Sequence, residues 1–231
     1  MLSGIEIQEA VVRQNEFEIG KARLDKGICP FTGKKVGEFV RSGRDQRLDF
    51  QNQVKNRPRI KIDPFNAGQL NPNSYNVRLA PELLVYDIPH HNQTLGGFEA
   101  YVYPLDMKRA NPTRELTIPR SGLILEPGVL YLGSTIEYTE AHNVVPQLNG
   151  RSSTGRLGLD VHATAGFGDV GFCGTWTLEM SVIHPLRIYA GVEIAQLAYF
   201  EISLRHETYR SNKYQGQRET RASGMHKDFG G

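Results

Sequence analysis

Between Asn149 and Ser181 the chain gathers residue types that grip phosphorylated ligands and move protons. Arg151 and Arg156 flank the pair Ser152-Ser153, with Thr154 and Gly155 between them. Guanidinium groups offer forked N–H donors that match phosphate oxygens, and the small hydroxyls beside them add hydrogen-bonding reach. Glycines at 155, 158, 166, 168, 171 and 174 would let backbone come close to a ligand. Asp169 lies inside this run, in a setting where an Asp is first of all a turn former. Residues 175–183 then alternate, with Trp176, Leu178, Met180 and Val182 on one face and Thr175, Thr177, Glu179 and Ser181 on the other. Glu179 is therefore a single acid in the middle of a polar face. A carboxylate in that position could take a proton from water and pass one to a leaving group. Singly, each residue also reads as part of an ordinary hairpin with surface charges.

The elements that must hold these residues read mainly as strands. At 231 residues the chain fits one domain with a substantial core, and its 39% apolar content is that of a globular protein. A formal net charge of +2 gives no global case for nucleic acid or a membrane. Two cysteines, Cys29 and Cys173, are too few for a disulfide framework and suggest a reducing compartment, hence a cytoplasmic protein. No secretory signal and no apolar run of membrane-spanning length is visible. Ser3-Gly-Ile-Glu6 predicts a capping box for a short helix ending near Arg13, and Phe17-Glu-Ile19 a strand start. Residues 20–57, where basic residues outnumber acidic ones, read as an inserted, solvated loop with one turn-like feature, Cys29-Pro-Phe-Thr-Gly33. From Arg59 onward short apolar runs punctuated by Pro and Gly predict strands around 75–79, 82–86, 98–103, 115–118, 122–125, 129–136, 157–162, 175–183 and 192–202. This is the pattern of an all-β sandwich, jelly roll or barrel. Residues 205–231 are polar and read as a flexible arm.

Several stretches resemble the dCTP deaminase branch of the trimeric dUTPase-like superfamily. They are G-R-S-S-x-x-R-L-G-L-x-V-H-x-T-A-G from Gly150, D-x-G-F-x-G-x-x-T-L-E from Asp169, and Asn71-Pro-Asn-Ser-Tyr-Asn-Val-Arg-Leu79. Leu125-Glu-Pro-Gly-Val-Leu-Tyr-Leu132, Ala190-Gly-Val-Glu-Ile-Ala-Gln-Leu197 and Lys213-Tyr-Gln-Gly-Gln217 complete the set, in family order. The resemblance implies a distorted jelly roll or β-barrel of the dUTPase type, working as a homotrimer with sites between subunits. It also implies hydrolytic deamination of dCTP to dUTP and ammonia, with Glu179 as the proton shuttle. Ser152, Arg156 and the backbone around Ala165 would orient the water. Asp169 would meet the deoxyribose 3′-hydroxyl and Phe172 would pack beneath the sugar. Arg151, Ser152, Ser153, Thr154, Gly155, Thr177, Leu178, Gln196, Tyr209, Lys213 and Gln217 would complete the nucleotide contacts, the last two closing over the triphosphate from the C-terminal arm.

Magnesium is expected only through the triphosphate, mostly keeping its waters. Zinc is not expected, because the zinc nucleobase deaminases use H-x-E and P-C-x-x-C, whereas here His162 precedes Ala163-Thr164 and no C-x-x-C exists. One departure stands out: Gly168-Asp-Val170 replaces the family's Ile-Asp-Pro. Two alternatives stay open. Thr164-Ala165-Gly166 leans toward the bifunctional branch that continues to dUMP and pyrophosphate, and a non-catalytic nucleotide-sensing trimer belongs to a different class.

Overall fold

The computed structural model describes residues 1–26, 56–87, 104–203, 205–211 and 213–230. Most of the 20–57 insertion and the strand expected at 98–103 therefore lie outside the described residues. Helix α1 spans Gly4–Asp25. It starts where the sequence predicts: the Ser3 N–H donates to Glu6 Oε2 at 2.7 Å and the Glu6 N–H to Ser3 Oγ at 3.3 Å. These Ser3 bonds hold the Glu6 carboxyl below its usual range. The helix runs well past Arg13, however, and absorbs the strand expected at Phe17. Its second half is fixed by strand β1 (Arg59–Asp63). The Arg59 guanidinium lies 3.8 Å from the Phe17 ring centroid and donates to Gln14 at 3.0 Å, while Lys61 pairs with Glu18 at 3.2 Å. Such long-range anchoring is invisible to local periodicity.

The remaining strands are β2 (Tyr75–Arg78), β3 (Glu82–Tyr86), β4 (Thr113–Thr117), β5 (Leu123–Leu125), β6 (Tyr131–Ser134), β7 (Tyr138–His142) and β8 (Val144–Gly150). After a single helical turn, α2 (Ser152–Gly155), come β9 (Leu159–Asp160), β10 (Cys173–Gly174), β11 (Thr177–Val182), β12 (Leu186–Ile188) and β13 (Glu193–Glu201). They form sheets ordered β4-β3-β6-β11-β9, β2-β13-β8, β1-β7-β10 and β12-β5. The architecture is all-β, with no closed barrel among the described residues. Tyr75, Leu79, Leu83, Leu148, Leu178, Met180, Leu197 and Tyr199 meet in one core, each 1% exposed or less. Burial on this scale is the main stabilising term of such a fold. Strand β8, with Val144, Pro146 and Leu148 turned inward, was not among the expected strands, yet it pairs with β13 over seven residues.

The C-terminal arm is held against the body rather than free. The Tyr209 N–H donates to the Val170 carbonyl (2.7 Å), the Gly216 N–H to Cys173 (2.7 Å) and the Thr175 N–H to Gln217 (3.0 Å). A 3-10 helix, Met225–Phe229, ends it. Polar composition alone does not reveal main-chain pairing of this kind.

Candidate active site

Strand β11 lies between β6 and β9, antiparallel to both. Over 176–182 its alternation is as read from the sequence: Leu178 and Met180 are fully buried and Trp176 and Val182 nearly so, while Thr177, Glu179 and Ser181 lie on the half-exposed face; Thr175, expected on that face, is buried. The polar face opens on a cavity of about 590 Å³. Thr177 and Glu179 line it together with Leu132, the cross-strand partner of Glu179. Ala163, Thr164 and Ala165 form one wall, and Phe167, Gly168 and Asp169 continue it. The arm contributes Tyr209, Tyr214, Gln217 and residues Arg221–Ser223.

Glu179 is fixed to that wall twice. Its N–H donates to the Val161 carbonyl at 2.9 Å, and one carboxylate oxygen accepts from the Ala163 N–H at 2.8 Å. The second oxygen has no protein partner among the described residues. A carboxylate held by one oxygen and open at the other is set to receive a proton from a molecule in the cavity.

The glycine loop is shaped by close approaches. A Cβ on Gly166 would come within 2.7 Å of the Leu148 carbonyl oxygen, and one on Gly168 within 2.3 Å of Trp176 Cη2 and 2.9 Å of Pro146. The Gly168 N–H also donates to the Pro146 carbonyl at 2.8 Å. Trp176 fills the space beside Gly168, which accounts for the loss of a side chain at that position of the Gly168-Asp-Val170 departure. Val170 is buried and its carbonyl receives the arm. Asp169 stays exposed at the cavity's edge, its carbonyl accepting from the Phe172 N–H at 3.1 Å in a turn. Phe172 meets Trp176 edge-on at 5.3 Å and Tyr209 at 6.1 Å, an aromatic corner in favourable geometry. Gln217 is 3% exposed; its amide donates to Thr175 O at 2.6 Å and to Thr177 Oγ1 at 3.2 Å. Gln217 Oε1 is buried with no protein partner among the described residues.

One chain thus brings together Glu179, Ala165, Asp169, Phe172, Thr177, Tyr209 and Gln217. Leu178 points the other way, into the core. None of Arg151 to Arg156 lines the cavity. Arg151 is tied to Glu193, donating to its carbonyl at 2.6 Å and lying 3.3 Å from its carboxylate. Thr154 Oγ1 caps α2 by accepting from the Arg151 N–H at 3.3 Å, and it donates to the Arg151 carbonyl at 2.8 Å. Ser152, Ser153, Gly155 and Arg156 are exposed. Gln196 satisfies its amide internally, accepting from Ser74 Oγ at 2.8 Å and donating to the Gly150 carbonyl at 2.9 Å. Lys213 is ion-paired with Asp228. Sequence reasoning left Trp176 to the core and missed Tyr86, Leu130, Tyr214 and Arg221 as lining residues. Only the fold, by returning the arm across β3 and β11, assembles that wall.

A family model described as "dCTP deaminase-like" matches residues 46–202. A Cytophaga hutchinsonii protein named "dCTP deaminase, dUMP-forming" is 55% identical over 170 residues, 74% of this chain and 90% of that protein. A Leptospira biflexa protein of the same name is 54% identical over the same shares. Among solved structures, a 2′-deoxycytidine 5′-triphosphate deaminase from Agrobacterium tumefaciens aligns with a TM-score of 0.42 at 20% identity, covering 61% of this chain and 41% of that one. No helix among the described residues is long and apolar enough to cross a membrane.

Proposed function

This chain belongs to the dCTP deaminase-like family, and we propose that it is a bifunctional member, converting dCTP to dUMP, pyrophosphate and ammonia. The observation that carries the reading is Glu179: a carboxylate with one oxygen fixed by the Ala163 N–H at 2.8 Å and the other open to a nucleotide-sized cavity. The dUMP-forming relatives at 54–55% identity support the second step over deamination alone. The small Thr164-Ala165-Gly166 turn supports it too.

Water adds to C4 of the cytosine ring, and Glu179 takes its proton. The tetrahedral intermediate then expels the exocyclic amine, which receives that proton from Glu179 and leaves as ammonia. Arg156 and Ser152 steady the charge and the water, a preorganised electrostatic role. A second water attacks the α-phosphorus of the dUTP so formed and releases pyrophosphate, so dCTP and two waters give dUMP, pyrophosphate and ammonia. Asp169 receives the 3′-hydroxyl over Phe172, and Gln217 and Tyr209 hold the arm across the nucleotide.

Magnesium fits this site as a cation carried by the phosphates, neutralising their charge. The cavity offers Glu179 and Asp169 singly, with no cluster of three ligands among the described residues lining it. No step needs zinc. Because Ser152 and Arg156 face solvent away from the cavity, they serve the nucleotide of a neighbouring subunit in a closed trimer.

Product analysis tests the reading. Supplied with dCTP and magnesium, the purified protein is expected to yield dUMP and pyrophosphate by chromatography, with no build-up of dUTP. Accumulating dUTP would remove the second step and leave the first. Bound but unchanged dCTP would turn the protein into a nucleotide sensor.

A further inference from the structure

Strand β7 carries Glu140 and His142 two residues apart, hence on one face. The register of β10 sets Cys173 directly opposite Glu140. One donor atom from each, a carboxylate oxygen, an imidazole nitrogen and the sulfur, lie within 4.8 Å of one another, and all three residues are half-buried. His142 Nε2 stands 2.9 Å from Glu140 Oε2. The thiol donates to the Gly171 carbonyl at 3.5 Å. None of the three residues lines the nucleotide cavity, although their neighbour Phe172 does.

We propose that Glu140, His142 and Cys173 form a binding site for a borderline-soft divalent cation of the zinc type, separate from the nucleotide site. Mixed oxygen, nitrogen and sulfur donors suit such an ion, whereas magnesium and calcium prefer all-oxygen shells. Three protein ligands on rigid strands leave the fourth tetrahedral position to water, which the partial exposure of the site admits. Binding forms a sulfur–metal bond and releases the thiol proton to solvent. Because that proton must leave, affinity rises with pH.

The surrounding charges leave room for a cation. Lys61 approaches from β1, 3.8 Å from Glu140, but is held more closely by Glu18 at 3.2 Å. Arg59, opposite His142 in register, is turned onto Phe17 and Gln14. Tyr138, near Glu140, lies beneath Arg218, whose guanidinium is 4.4 Å from the Tyr138 ring centroid. A thiolate and a carboxylate would balance the doubly charged ion, and Glu18 balances Lys61.

The site has a structural reach. Cys173 meets the arm through both main-chain groups: its N–H donates to Gln215 Oε1 at 3.1 Å and its carbonyl accepts from the Gly216 N–H at 2.7 Å. A metal fixing Cys173 therefore steadies the point where the arm docks, without entering the chemistry.

Cobalt(II) is the probe. Added to the metal-free full-length protein under reducing conditions, it is expected to give a near-ultraviolet thiolate-to-cobalt charge-transfer band, saturating at about one equivalent per chain and displaced by zinc. C173S should abolish the band while keeping wild-type circular dichroism and dCTP turnover. H142A should weaken cobalt affinity at least about tenfold, since even a residue behind a metal ligand is worth that much. C29S should leave the band intact. A band absent from the wild type, or one that follows Cys29 instead of Cys173, overturns the site. So does a band untouched by H142A.

Discussion

In the 163–179 half of the glycine-rich stretch, polar side chains find their places within one chain, whereas the 151–156 half turns away from the cavity. Glu179 is bonded to the Ala163 N–H, and Asp169 and Thr177 line the same space. Arg151 instead braces Glu193, and Ser152 and Arg156 lie in solvent. Close in sequence, the two halves differ in what backs them. Strand β11 lies inside a five-stranded sheet, so its polar face is forced toward whatever packs over it. The α2 turn follows the end of β8 and is fixed at its base by the Thr154 and Arg151 bonds. On the function proposed above, a neighbouring subunit completes this turn.

The largest expected effect attacks the finished half. Glu179→Gln keeps the bond from the Ala163 N–H but removes the proton shuttle, so kcat should fall at least about 100-fold, the scale of general acid–base catalysis. Nucleotide binding should be nearly preserved. Near wild-type turnover of dCTP by this variant would end the assignment of Glu179.

The unfinished half is sharpened by mixing. Arg156→Ala should also be nearly inactive on its own. If each site takes Glu179 from one subunit and Arg156 from the next, co-refolding the two inactive variants in equal amounts should restore about a quarter of wild-type activity, since random assembly leaves that share of sites with both groups. Activity that stays at the level of the parents would mean that both residues act within one chain, and the comparison would collapse.

Asp169→Asn tests a contact present in both ground and transition states. It should raise KM for dCTP about tenfold, the loss expected when a hydrogen bond to a charged acceptor is weakened, with kcat little changed. Discrimination against the ribonucleotide should also fall. A drop in kcat at unchanged KM would move Asp169 into the chemistry.

How much of this was legible in the sequence follows from the range of the forces involved. The alternation of β11 and the Ser3–Glu6 cap are local, and both stand as read. Helix α1 was read too short because Gln14, Phe17 and Glu18 are held by Arg59 and Lys61, more than forty residues away. Strand β8 carries Pro146, a residue that central strands usually exclude, yet its ring turns inward and its carbonyl accepts from Gly168. Glu140, His142 and Cys173 become neighbours only through the register of β7 with β10. The family motifs supplied candidate roles for the 151–156 residues, but no single-chain geometry could place them together with Glu179.

The smallest expected effect concerns Gly168, where the loop departs from the family pattern. Trp176 is fixed there by its indole N–H, which donates to Thr139 Oγ1 at 2.9 Å, and by the edge of Phe172. Gly168→Ala would drive a methyl into both the ring and Pro146, an overpacking that costs about 1–3 kcal/mol. A lower urea midpoint at unchanged slope should report that cost. Because Phe172 leans on Trp176 and would lie under the sugar on the proposed function, KM should rise modestly while kcat holds. Adding Trp176→Phe shortens the ring, removes the atom at 2.3 Å and should recover part of the lost stability. If the double variant is instead less stable than the sum of the single changes, Trp176 is not what keeps residue 168 bare. The loop would then owe its shape to the Pro146 carbonyl and to the arm, and the difference between the two halves would rest on backbone pairing alone.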